Sequence, residues 1–507
     1  MTIKGLTRRN TFGWAAVLGA GLGLPGAASA AAKVRVFDVA QYGAVGDGVA
    51  NDTAAIQRAI DAAGAAGGGA QVRLRKGRRY LVSAMELRGG IDFHIEKGAE
   101  ILVSTDPADY ANPRNGVLHA VAVHNLKISG GGVINGRSRE FMTGFDAADE
   151  WWLPKSFRPR LLVLEGCNDL EIREVTFKQA PSWTVHLVGC QRVLVERVSI
   201  FNQMDVPNCD GIDPDHCQDV EIRNCHIVCG DDAIVIKTTA GFTKYGPSRN
   251  IRVKDCVLET QDSGLKIGTE TTQDIHDIVF EDCKVVQGCR GLCIQLRDQG
   301  NVYNVTFRNI TFVSRYFSRP WWGRGEAISF TAVPRNPQTM LGTIHDIRVE
   351  NVSGRAENSI RIRGHGASRV RNVTLQKVRV TFERWTKYAG QVYDNRPTTV
   401  VEAEEKHDTV GISIQTADNI TLRDCRVRWG KTVPAYFTHA LEARDVTGLA
   451  QVSIIAARAA DRGILGTRPR MTISLRARPV RAPASALRSK KVPAGIAGRS
   501  GPAAGAA

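Results

Sequence analysis

From Asn168 onward the chain keeps returning to a ten-residue pattern that opens polar and then alternates apolar with polar positions. It reads NDLEIREVTF from Asn168, QRVLVERVSI from Gln191, QDVEIRNCHI from Gln218, RNIRVKDCVL from Arg249 and HDIVFEDCKV from His276. It continues as YNVTFRNITF from Tyr303, HDIRVENVSG from His345, RNVTLQKVRV from Arg371 and DNITLRDCRV from Asp418. Period-two alternation predicts half-buried strands. The starts lie 23, 27, 31, 27, 27, 42, 26 and 47 residues apart, with no helix-period stretch between them. A spacing of 23–31 suits one coil of a parallel β-helix, with about three short strands per turn. It argues against βαβ units and leucine-rich repeats. Cys225, Cys256, Cys283 and Cys425 all hold the eighth place of their unit, which predicts a stack of buried thiols. Zinc would need CxxC-like pairs, and the sequence has none.

The two long spacings mark insertions, which in a solenoid become loops around one face. The first carries Arg319-Pro320-Trp321-Trp322-Gly323, and the second carries Trp385, Tyr388 and Tyr393. An amphipathic stretch over Thr53–Ala63 predicts a helix that caps the open N-terminal end of the stack. The repeat stops near Ile455, and residues 456–507 are Ala, Arg, Pro and Gly without a period, expected to form no fixed structure. Residues 1–30 read as an export signal, with Lys4, Arg8 and Arg9, an apolar run from Trp14 to Leu24 and the small-residue site Ala28-Ser29-Ala30. Thr7-Arg8-Arg9-Asn10-Thr11-Phe12 resembles a twin-arginine signal, so a periplasmic or extracellular location is expected. The expected organisation is a signal over 1–30, one β-helix domain over 33–455 and a basic tail over 456–507.

Charge changes the picture only after it is divided. The 507 residues hold 67 Lys+Arg against 51 Asp+Glu, a formal +16, which invites nucleic acid as a partner. Residues 1–30 carry +3 and residues 456–507 carry +10, so the body holds only +3. Nucleic acid is therefore not an expected partner. Beyond the N-terminus no apolar run approaches the roughly 18 residues of a membrane span, so no membrane association is expected once the signal is removed. The eleven cysteines are an odd number, so at least one thiol is unpaired. A solenoid of this size is expected to be a monomer.

Candidate chemistry sits in the middle of the array. Asn208-Cys209-Asp210-Gly211-Ile212-Asp213 ends one coil and Cys229-Gly230-Asp231-Asp232 ends the next. Asp210 precedes Asp231 and Asp232 by 21 and 22 residues, close to one coil. Neighbouring strands lie about 4.8 Å apart, so three carboxyl groups crowd one patch. Like charges that close raise at least one pKa, leaving a proton for general-acid work beside an ionised carboxylate. Glycosidic bond cleavage needs that combination. A calcium site, or Asp turns capping strand ends, are the alternatives on spacing alone.

Phe37-Asp38-Val39, Tyr42 to Gly48 and Asn51 to Gln57 resemble the start of pectinase-type β-helix proteins. Asn208-Cys209-Asp210 and Gly230-Asp231-Asp232 are similar to the two acidic motifs of glycoside hydrolase family 28, the polygalacturonases. The resemblance covers roughly residues 35–430. It implies an all-β, right-handed parallel β-helix and an inverting hydrolysis with no metal or other cofactor, acting on a pectic or related acidic polysaccharide or oligosaccharide. It further implies Asp231 as general acid, Asp210 and Asp232 as the pair that holds and deprotonates water, and Asn208 as an orienting group. Coil spacing alone puts the carboxyls nearer the retaining range of about 5 Å; side-chain direction can widen the gap. The family's catalytic-site His is Ser263 here, and its Arg-Ile-Lys motif is Cys293-Ile294-Gln295. Arg297, two residues past Gln295, and Lys266 are the candidate replacement cations. Gly364-His365-Gly366 comes two to three coils too late for the family's Gly-His-Gly and is taken as coincidence. Trp321 and Trp322 are expected to wall a sugar subsite, with Arg324 and Glu326 as polar contacts and Trp151-Trp152 opposite. A β-helix polysaccharide lyase needs a strong base beside a uronate, and a binding β-helix without catalysis is the third reading.

Overall fold

The computed structural model describes residues 34–110, 116–451, 454–458 and 475–476. The expected export signal and nearly all of the expected tail lie outside the described residues. The rest is one continuous stack of parallel strands, and a short crossover between parallel strands winds right-handed. The chain is thus a right-handed parallel β-helix, as its repeat predicts.

Six of the nine ten-residue units form two short strands rather than one, and the units from Tyr303, His345 and Arg371 run on as single bent strands. The first gives Asn168–Arg173 and Thr176–Lys178, with Glu174 between them at φ 60°. In all nine units the second and seventh residues adopt the left-handed region, from Asp169 and Glu174 to Asn419 and Asp424. Most of these residues are Asn or Asp, which tolerate that region because their short side chains bond locally. They also bond from coil to coil: Asn372 donates to Asp346 at 2.9 Å, and Asn351 to Asn309 at 2.9 Å. The bend turns the eighth residue inward. Cys225, Cys256, Cys283 and Cys425 are buried there, and all eleven cysteines are free and buried.

The functional face is a ladder of ten strands, each paired in parallel with the next. They are β1 (Leu118–Val121), β2 (Leu162–Glu165), β3 (Val185–Val188), β4 (Ile212–Asp215) and β5 (Ile234–Thr238). They continue as β6 (Ser263–Thr271), β7 (Arg290–Leu296), β8 (Glu326–Ala332), β9 (Asn358–Arg363) and β10 (Ile412–Arg423). Register aligns Ile236, Ile267, Ile294, Phe330, Ile362 and Ile414 in one inward row. All are fully or almost fully buried, each worth about 1.5–3 kcal/mol against exposure. The positions between them point outward, so the same register stacks chemistry on the outer face.

Helix α1 (Thr53–Ala65) runs two residues past its predicted end and turns Ala55, Ile56, Ala59, Ile60 and Ala63 inward, capping the first coil. Three excursions leave the outer face. The first is a hairpin of Met142–Asp146 with Trp151–Pro154, the second spans residues 315–325, and the third spans 383–411 with a hairpin of Val392–Asp394 and Glu404–Lys406. Among the described residues, no helix is long and apolar enough to cross a membrane.

Candidate active site

Asp210 ends the segment before β4, and Asp231 and Asp232 end the segment before β5, one coil on. The two segments touch through backbone. A Cβ on Gly230 would stand 2.3 Å from the Val206 carbonyl oxygen, so only glycine lets them approach. Cys209 Sγ accepts the Gly230 N–H at 3.0 Å and ties the two motifs together. One oxygen from each of Asp210, Asp231 and Asp232 lies within 4.8 Å of the others.

The three carboxyls differ in surroundings. Asp231 is half-buried and accepts the Asn208 N–H at 3.1 Å and the Asp232 N–H at 3.0 Å. Burial, then the charges of Asp210 and Asp232, push its pKa up to about 7. Asp232 is ion-paired with Lys266 Nζ at 2.6 Å, and its other oxygen accepts the Ser263 N–H at 3.2 Å. Asp210 is 2% exposed; burial and the neighbouring Asp213 raise its pKa well above the usual carboxylate range. Its Oδ1 has no hydrogen-bond partner among the described residues.

Further ionisable groups ring the trio. Lys237 stands 4.0 Å from Asp210, 3.8 Å from Asp213 and 3.2 Å from Glu270. Burial works to lower its pKa, but Glu270, Asp213 and Asp210 together raise it. Burial opposes ionisation of Glu270 too, yet Lys237 and Arg335 bring its pKa down to about 2. Asp262 is a fourth crowded carboxyl: it accepts from Ser263 Oγ at 2.9 Å and from the Trp322 N–H at 3.3 Å. Burial and Asp232 raise its pKa well above normal. The trio is compact enough for a divalent cation to touch all three. Lys266 and Lys237 already stand against Asp232 and Asp210, so a metal would compete with two resident cations.

The predicted binding residues divide into two groups. Asn208, Ser263, Lys266 and Trp322 gather at the carboxyls, with Lys266 Nζ 5.7 Å from the Trp322 ring centre. Lys266 is not a free cation on a wetted strand face, because Asp232 holds it. Trp321 is 2% exposed, with its ring edge against Trp151 at 6.0 Å and Cys289 and Phe317 around it. It is core of a folded-back loop and no sugar wall. Gln295 and Arg297 are likewise covered by the third excursion: Gln295 Nε2 donates to Arg396 O at 2.6 Å and Arg297 Nη2 to Asn395 O at 3.3 Å. Arg297 is 0% exposed and has no carboxylate partner among the described residues; burial, then Arg290, push its pKa down to about 9. Arg324 and Glu326 are also buried there, and Trp152 bonds Asp205 through its indole N–H at 3.1 Å.

Three residues that sequence reasoning missed stand beside the carboxyls. Trp183 is half-buried, with Arg160 4.1 Å and Lys237 4.5 Å from its ring centre. Arg158 donates to Asn208 Oδ1 at 2.9 Å and to Pro207 O at 2.9 Å. All three precede the acidic motifs outside the ten-residue units, so no repeat position marks them.

This geometry was compared with known proteins. The family description "Glycosyl hydrolases family 28" matches residues 81–392, and "Rhamnogalacturonase A/epimerase, pectate lyase-like" matches residues 36–94. A probable polygalacturonase of Vitis vinifera is 26% identical over 306 residues, covering 55% of this chain and 61% of that protein. An exopolygalacturonase of Zea mays is 25% identical over 354 residues, covering 62% of this chain and 83% of the relative. The solved structure of a family 28 exopolygalacturonase from Yersinia enterocolitica shares the fold at TM-score 0.63 and 19% identity, over 82% of this chain and 78% of that one. The chain thus spans about three fifths of the length of the grape relative it matches. With its two acidic motifs on adjacent coils inside a match that takes in most of its length, the chain belongs to glycosyl hydrolases family 28.

Proposed function

We propose that the protein is an exported glycoside hydrolase that cleaves glycosidic bonds of a pectic, uronate-containing polysaccharide or its oligosaccharides. The observation that carries this reading is the Asp210, Asp231 and Asp232 cluster, in which one carboxyl has a pKa near 7 and another is ion-paired. Asp231 gives its proton to the glycosidic oxygen as the bond to the anomeric carbon breaks. A water attacks that carbon and loses its proton to the Asp210–Asp232 pair. Both Asp232 oxygens are already engaged, by Lys266 and the Ser263 N–H, which makes Asp232 a poor nucleophile and favours a water-mediated, inverting course. Asp210 Oδ1, with no partner among the described residues, offers that water a lone pair. Half-buried Trp183 and Trp322 supply aromatic faces for the sugar, and Arg158 and Arg160 supply charge for a uronate.

A lyase would need a free strong base at the site. The nearest candidates, Lys237 and Lys266, are both held protonated by carboxylates. The test is a screen of pectic polysaccharides and oligosaccharides, with products read by mass and by the anomeric configuration of the first-formed sugar. Saturated products of inverted configuration are expected. A 4,5-unsaturated uronate, or no product from any pectic substrate, sinks the reading.

A further inference from the structure

Reading a uronate takes a cation that the protein has not already engaged, and the site has few. Lys237 and Lys266 are paired with carboxylates. Arg158 donates to Pro181 O at 3.3 Å, to Pro207 O at 2.9 Å and to Asn208 Oδ1 at 2.9 Å, which ties down the segment of the first acidic motif. Arg160, just before β2, is different. It is half-buried, and among the described residues no carboxylate pairs with it, although Asp213, Asp210 and Asp215 all favour its charge against burial. Its guanidinium lies 4.1 Å from the Trp183 ring centre, and Nη1 donates to His186 Nδ1 at 2.7 Å.

His186 is an outward residue of β3, 1% exposed, with Asp213 of β4 as its neighbour in register. Arginine carries no acceptor atom, so Nδ1 accepts with its lone pair and the ring proton sits on Nε2. That Nε2–H donates to Asp215 Oδ2 at 3.2 Å. Asp215 is fixed in turn, because its Oδ1 accepts the Thr239 N–H at 2.8 Å. The Trp183 ring meets the imidazole at 87° with centres 4.8 Å apart, and Phe242 lies 6.2 Å away. Burial outweighs the Asp215 bond and, with the charges of Arg160 and Lys237, takes the His186 pKa down to about 4, so the ring is neutral. The row Asp215–His186–Arg160 therefore has a single order of donors and acceptors. It runs from the buried ladder out to a half-buried guanidinium.

We propose that His186, held by Asp215, is a positioning residue that aims the Arg160 guanidinium at a carboxylate of the substrate. Arg160 is then the group that separates a uronate from its neutral ester. The inference rests on the pectic reading above and deepens it. Arg160 is rooted two coils before Asp210, since the Leu161 N–H donates to Trp183 O at 3.2 Å and the Thr184 N–H to Asp210 O at 3.1 Å. Two coil rises come to about 10 Å, so Arg160 works beside the catalytic trio without belonging to it. One of its N–H groups goes to His186; the others have no partner among the described residues and suit the two oxygens of a carboxylate. Without the Nδ1 acceptor the guanidinium keeps its contact with Trp183 but loses its fixed direction over the ring.

The full-length protein and three variants, Arg160→Gln, His186→Gln and His186→Asn, test this with trigalacturonate and its methyl ester. Kd is measured by calorimetry in an Asp231→Asn background, and kcat and KM without that change. Arg160→Gln should weaken trigalacturonate about 10- to 100-fold in Kd and KM, with a far smaller change for the ester. His186→Gln keeps a donor near Asp215 but no acceptor at the Nδ1 position, so it should lose several-fold although Arg160 is intact. His186→Asn sets an amide oxygen where Nδ1 stood and should regain most of that loss. An Arg160→Gln protein that binds like the parent, or that loses acid and ester equally, overturns the proposal. So do two His186 variants that bind like the parent, whatever their melting temperatures. Hydrolysis that is indifferent to Arg160 leaves the hydrolase reading intact. Binding that depends on Arg160, with no hydrolysis by the parent, removes that reading and keeps this one. A parent that neither binds nor cleaves removes both.

Discussion

Two stretches of the same outer face bury charge in opposite ways. The segments at β4 and β5 crowd Asp210, Asp213, Asp231 and Asp232 against one another with Lys237 and Lys266 as the near cations. Carboxyl pKa values there are driven up, to about 7 for Asp231 and about 8 for Asp213, by burial first and neighbouring carboxylates second. Under the third excursion, β7–β9 present Arg290, Arg361 and Arg363, and the excursion answers with Asp394 and Glu405. Burial opposes ionisation of those two acids as well, yet the arginines hold both pKa values below normal. One scaffold thus gives like-charge crowding that makes a proton available and opposite-charge pairing that fastens a loop. Chemistry is found where charge is least matched.

If that contrast is right, removing a charge has opposite consequences in the two regions. Asp231→Asn is expected to lower kcat about 10²–10⁴-fold by removing the general acid. Its denaturation midpoint should hold or rise, because a like charge leaves a crowded site. Steady-state rates and a denaturant titration read both; retained activity on every active substrate would remove Asp231 from its role. Asp394→Asn is expected to do the reverse. It leaves Arg290, Arg324 and Arg396 short of a buried partner, at a cost of about 3–5 kcal/mol. Turnover of a short oligosaccharide per folded molecule should stay within a few-fold of the parent.

The contrast also fixes a pH profile. Asp231 must carry its proton to act, and its pKa is raised to about 7. The rate should therefore fall as pH climbs through about 7, and that alkaline limb in kcat/KM should be absent from the residual activity of Asp231→Asn. A limb that persists in the variant would assign the titration to another group.

The sequence makes the first region far more legible than the second. Asn208, Asp210, Asp231 and Asp232 sit within contiguous motifs one coil apart, so counting residues brings them together. The coil count also places Ser263 and Lys266, because each is fixed to the repeat. Gln295 and Arg297 lie on the expected outward face, but what covers them comes from Asn395 and Arg396, about a hundred residues later. Trp321 and Trp322 are adjacent in one insertion and read alike; a loop turn sends Trp321 into Cys289 and Phe317 and leaves Trp322 half-buried. Repeat spacing measures position along the axis and carries no signal for how an insertion folds back across it. The bend in the middle of each unit was visible in principle, since Asn and Asp recur at the seventh place where the backbone turns left-handed.

The smallest expected effect probes the acidic region without touching its catalytic trio. Asp213 is fully buried, both its oxygens lack hydrogen-bond partners among the described residues, and Lys237 is 3.8 Å away. Burial, with Asp232 adding to it, raises its pKa to about 8, above the value of about 3.9 in an unfolded chain. The folded state therefore binds this proton more tightly than the unfolded state does. The stability it confers is fully present below about pH 4 and is lost as pH rises through about 8. Asp213→Asn keeps the shape and cannot ionise, so it should stabilise the protein by at least about 1 kcal/mol at pH 9 relative to the parent. Toward pH 4 and below the gap should close, because the parent carboxyl is then neutral in the unfolded chain as well as in the fold. Melting temperatures of both proteins across pH 3.5–9 decide the matter. A variant less stable than the parent at pH 9 would mean that Lys237 needs the Asp213 charge, and the acidic coils would then be as well paired as those under the third excursion.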